Sequence, residues 1–81
     1  MNKMTLTVPA KDEWALVMRT ALSGVGTLAK LSVDMIDDLR TACDEAFNLL
    51  THQSQLIQHL VLSCELKDGS LLVRLSVERA F

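Results

Sequence analysis

Glu45 is the carboxylate whose position invites a chemical reading. On a helix expected from Ser32 to Thr51 it shares a row with Asp38, Ala42 and Leu49, and it is the polar group lying deepest in that helix. A carboxylate held there can accept a proton from an attacking hydroxyl or water. The plainer reading makes it a solvated residue, because glutamate is a good helix former that populates exposed faces freely. Cys43 and Cys64 lie 21 positions apart within apolar patterns, without a CxxC pair or a matching histidine pair at zinc spacing. They are expected to be two reduced, inert core thiols. His52 and His59 are isolated from each other and from other ligands, so surface or strand positions are expected and no metal site.

The elements that position these residues follow from apolar spacing. Ile36, Leu39, Cys43, Ala46, Phe47 and Leu50 recur every three or four residues and define the buried side of the long helix. Ser32 is the expected N-cap, and Asp34, Asp37 and Asp38 follow where the helix dipole favours negative charge. Upstream, Met4, Leu6 and Val8 alternate with Thr5 and Thr7, a half-buried strand that ends near Pro9. From Lys11 the period changes, and Trp14, Val17, Met18, Ala21, Leu22 and Val25 predict a helix with Trp14 and Met18 as packing residues. Gly24 and Gly26 are expected to stop it. After Thr51 the helix should fray over His52 to Gln55. Leu60 to Leu66 and Leu71 to Val77 then alternate on either side of Asp68-Gly69, two strands of a hairpin.

The order strand, helix, helix, strand, strand predicts an α+β two-layer sandwich with both helices on one face of a mixed or antiparallel sheet. The other face would carry Thr5, Thr7, Arg74, Ser76 and Glu78 and meet water or a partner. At 81 residues the chain makes one domain, and a core this small favours self-association. Net charge is -2 and the eight basic residues are scattered, so nucleic acid is not an expected partner. No apolar run approaches a membrane span and no secretion signal opens the chain, so a cytoplasmic protein is expected.

Three segments carry a resemblance to a known family: LTVPA at Leu6 to Ala10, ALSGVGTLAKLSVDMIDDL at Ala21 to Leu39, and DEAFNLL at Asp44 to Leu50. The chain resembles the anti-sigma factor serine kinases of bacterial partner-switching systems, in the histidine-kinase-like (GHKL) ATPase superfamily. The resemblance implies a truncated Bergerat ATPase fold over residues 1–81, without the C-terminal nucleotide-lid portion. It also implies a sigma factor or an anti-anti-sigma protein as partner, and a homodimer.

In that family the long helix carries a Glu followed four residues later by an Asn, beside an ATP site. By resemblance Glu45 matches the general base of phosphoryl transfer. The Asn that helps hold magnesium falls on Leu49, which has no oxygen to offer a hard cation. Asn48 is rotated about 100° away on a helix. The family's adenine-reading Asp-x-Gly falls on Glu78 and Ala80, and a methyl group stands where close backbone approach is needed. No glycine-rich phosphate loop replaces these features. The sequence therefore reads as a regulator that binds protein without ATP or magnesium. Two alternatives stand beside it: an ATP-dependent serine kinase completed by another chain, and a structural homo-oligomer.

Overall fold

The structure, a computed structural model, describes residues 2–52 and 56–79. Strand β1 (Asn2–Pro9) leads through a 3-10 turn (Asp12–Trp14) into helix α1 (Ala15–Leu28), then helix α2 (Val33–Thr51), strand β2 (Ile57–Lys67) and strand β3 (Ser70–Arg79). The sheet order is β1-β2-β3 and both pairings are antiparallel, which settles the choice between a mixed and an antiparallel sheet. Of the hydrogen-bonded strands, β2 is central and β1 and β3 are edges.

Alternation places Met4, Leu6 and Val8 of β1 beside Cys64, Leu62 and Leu60 of β2, and these in turn beside Val73, Leu75 and Val77 of β3. Both helices pack on that face. Val8, Met18, Leu22, Val25, Cys43, Phe47, Leu60, Leu62 and Cys64 form the buried core. Fully burying a Leu or Met side chain is worth about 1.5–3 kcal/mol each. Among the described residues, no helix covers the opposite face, which carries Thr5, Thr7, Arg74, Ser76 and Glu78. The tight turn is as expected: Asp68 and Gly69 both have positive φ, 48° and 79°, the backbone that joins two right-twisted strands through a two-residue loop.

The caps explain where the helices begin and end. Ser32 Oγ accepts the Met35 N–H at 3.2 Å, so α2 starts where the sequence places it. Helix α1 departs from expectation at both ends. Its first turn is the 3-10 segment, and the helical phase begins only at Ala15. Trp14, expected in the core, is therefore 38% exposed, and Val17 is 41% exposed, while Met18 is fully buried as expected. Gly24 and Gly26 do not stop the helix. They lie inside it, and the chain leaves through Lys30, a non-glycine residue at φ 60°. There Lys30 N–H donates to Thr27 O and Leu31 N–H to Gly26 O, at 3.0 and 3.1 Å. That pair of bonds is a Schellman motif, which satisfies the last carbonyls without glycine at the left-handed position. The expected fraying over His52 to Gln55 falls mostly on residues 53–55, outside those described.

Candidate functional site

Helix α2 presents its chemistry on the flank that overhangs β3. Its apolar stripe faces β3 across a crevice lined by Leu39, Ala42, Ala46, Val73 and Leu75. The next row outward, Asp38, Ala42, Glu45 and Leu49, is exposed along its whole length. The spacing thus brings these four residues onto one side of one helix, as expected, and leaves them at the surface. Toward the N-terminal end of α2 the row opens on a hollow of about 680 Å³, lined by Met35, Asp38, Leu39 and Ala42 of α2 and by Gly69, Ser70, Leu71 and Val73. Asp38 is the ionisable side chain in that wall.

Glu45 makes no hydrogen bond or ion pair among the described residues, so its carboxylate is free to act as an acceptor. Leu49 is 70% exposed and gives the row an apolar end where a metal ligand would have to be an oxygen. Among the described residues no three His, Cys, Asp or Glu side chains converge as a metal site. On the row itself the oxygen donors are the Asp38 and Glu45 carboxylates, and the row carries no cation.

Glu78 is not brought to the same place. Val77 packs against the core, so Glu78 points from the opposite face of the sheet, away from the helices. There His59 Nδ1 lies 2.9 Å from Glu78 Oε1, a cross-strand contact between the paired positions His59 and Glu78. The β2–β3 pairing slips by one residue at Ile57/His59, a bulge, while on the other edge of β2 the Ala10 N–H donates to Gln58 O at 3.1 Å, continuing the β1 register. Glu45 and Glu78 therefore stand on opposite sides of the sheet. Ala80 lies outside the described residues.

One polar contact was missed in the sequence. Arg19 Nη1 donates to Asp44 Oδ2 at 3.0 Å, tying α1 to α2. Arg19 Nε and Asp44 Oδ1 are buried with no hydrogen-bond partner among the described residues. The signal was available, since Arg19 is the one charged residue of α1 and Asp44 adjoins the buried Cys43. Neither position shows its partner without the packing of the two helices. The cysteines are where expected: both are free and buried. Burial pushes the Cys43 thiol above its ordinary value, with the Asp44 charge adding to the shift and Arg19 opposing it. Burial alone raises Cys64. Among the described residues, no helix is long and apolar enough to cross a membrane.

No family model matches the chain. Similarity appears among characterised proteins: serine-protein kinase RsbW of Listeria monocytogenes is 42% identical over 45 residues, 56% of this chain and 29% of the kinase. The RsbW kinase of Listeria innocua matches to the same extent. The similarity thus reaches less than a third of the length of either relative.

Proposed function

We propose that this chain is an anti-sigma-like regulatory domain that acts by binding a protein of transcription or stress-response control, without using a nucleotide. The observation that carries the reading is Leu49. It stands one helical turn beyond Glu45, on the same exposed row, where the resembled kinases place a magnesium-holding Asn. The partial similarity to serine-protein kinases supports the regulatory class, and the sigma factor or anti-anti-sigma protein that the resemblance implies is the partner proposed. The overhanging flank of α2, with its apolar hollow against β3, offers such a partner a contact surface.

A second reading is favoured by Glu45 itself. A free carboxylate on the row that the kinases use for their base fits an ATP-dependent serine kinase completed by another chain. Thermal denaturation with millimolar Mg-ATP separates the two, because a ligand that binds only the folded state raises its melting temperature. No shift is expected. A saturable shift that is lost on Glu45→Ala or on removal of magnesium would overturn the nucleotide-free reading and promote the kinase. Affinity capture from a bacterial lysate is expected to retain a sigma factor or an anti-anti-sigma protein. Recovery of neither would count against the regulatory reading.

A further inference from the structure

Strand β3 leaves one edge open. Its other edge pairs with β2 in unbroken register from Ser70 to Glu78, and among the described residues no strand lies beyond it. An open edge presents a row of backbone N–H and C=O groups that another extended chain can take up, and natural edges are commonly blunted by lysine, proline or a bulge. Edge strand β1 contains Lys3 and Pro9. Strand β3 contains neither residue type, and Arg74 is its one charge from Ser70 to Val77.

The side chains report the same gap. On β2, Leu60, Leu62 and Cys64 are 0%, 1% and 2% exposed, whereas Val77, Leu75 and Val73 directly beside them on β3 are only half-buried. Between β3 and α2 runs a crevice of about 260 Å³ whose lining includes Leu39, Ala46, Val73 and Leu75. A strand next to β3 would turn alternate side chains toward that crevice.

Charge identifies what such a strand carries. Asp38 and Glu45 stand exposed on the outward row of α2, and neither makes a hydrogen bond or ion pair among the described residues. Two helical turns apart, they are separated by about 10 Å along the helix. Strand residues four apart point the same way at a spacing of about 13 Å, which lets two lysine or arginine stems reach the two carboxylates. A second copy of β3 fits poorly, because continuing the sheet that way would set the two acidic flanks of α2 against each other.

We propose that β3 takes up an extended segment of a partner protein as a fourth strand, the segment offering aliphatic side chains to the crevice and lysine or arginine to Asp38 and Glu45. The inference deepens the protein-binding reading and rests on it, adding the manner of binding and the chemistry of the bound segment.

The probe is a fluorescein-labelled peptide of about ten residues, with threonine at every second position and valine and lysine taking turns between, titrated with the 81-residue chain up to about 1 mM. A saturable rise in anisotropy is expected. Binding should weaken about tenfold when glutamate replaces lysine in the peptide, and by a similar factor for an Asp38→Asn/Glu45→Gln protein of undiminished melting temperature. Successive N–H groups of a strand point to opposite sides, so N-methylation of every second peptide residue should abolish binding in one phase and spare it in the other. Alternate β3 amides should gain protection from exchange when the peptide is bound. No saturation, or the same response to both methylation phases, overturns the proposal. Protection of β3 that rises with protein concentration in the absence of peptide gives the edge to a second copy and overturns it as well. A chain that captures a sigma factor from a lysate with its β3 amides still unprotected keeps the regulatory reading and overturns this one.

Discussion

Both thiols of the molecule are held away from the charge they would carry as thiolates. Burial raises Cys43 and Cys64 above the ordinary value of 9.0, so the folded chain holds these protons more tightly than the unfolded one. The sign of the linkage follows. Stability from these groups is fully present below pH 9.0 and is lost as the pH rises through the higher folded values, because the unfolded chain ionises first. The chain has no tyrosine, so no phenol titrates in the same window. Denaturant unfolding from about pH 8 to about pH 10 is expected to show falling stability. A Cys43→Ala/Cys64→Ala variant is expected to lose most of that slope. A variant as pH-dependent as the wild type would place the titration elsewhere.

At the scale of the element, the two glycines of α1 give opposite predictions from one residue type. Gly24→Ala adds a methyl group to open space and should stabilise the monomer by about 0.5–1 kcal/mol through helix propensity. Gly26→Ala carries the same propensity gain but drives a methyl group against Ile36 at 3.0 Å, where α1 and α2 approach. It should be less stable than Gly24→Ala by about 1–3 kcal/mol, read from denaturant midpoints. Equal stabilities would mean that Ile36 yields without cost. These glycines also mark where the sequence stopped being legible. Three-four spacing located α2, its Ser32 cap and its buried Cys43 and Phe47, because each is a local property of the chain. The end of α1 was hidden, since a Schellman exit through Lys30 has no glycine signature, and the two glycines that looked like stops are a packing site and an open site. Trp14 was misread because a 3-10 turn shifted the helical phase by a fraction of a turn. The row at Glu45 was legible as a row. Its distance from Glu78 was not, for the strand-face parity that separates them becomes visible only once β3 is paired and its core side fixed.

The whole molecule measures 38 × 24 × 15 Å, the proportions of one helix layer on one sheet. The face of the sheet away from the helices presents Thr, Ser, Arg and Glu side chains. The pairings on the two sides of β2 differ greatly in the stretch of chain they close. Strands β2 and β3 meet through the Asp68-Gly69 turn, whereas β1 joins β2 by bringing Asn2 opposite Leu66 and enclosing both helices. Closing a loop grows costlier with its length, so the hairpin should assemble early and β1 should dock late. The same ordering runs in reverse when the fold opens. Amide protons of β1 are expected to exchange with solvent sooner than those of β2 that bond to β3, by a subglobal opening that leaves the hairpin closed. Equal protection of both would show that the sheet opens as one unit. The strand that begins the chain is thus the last piece of the fold to be secured and the first to be released.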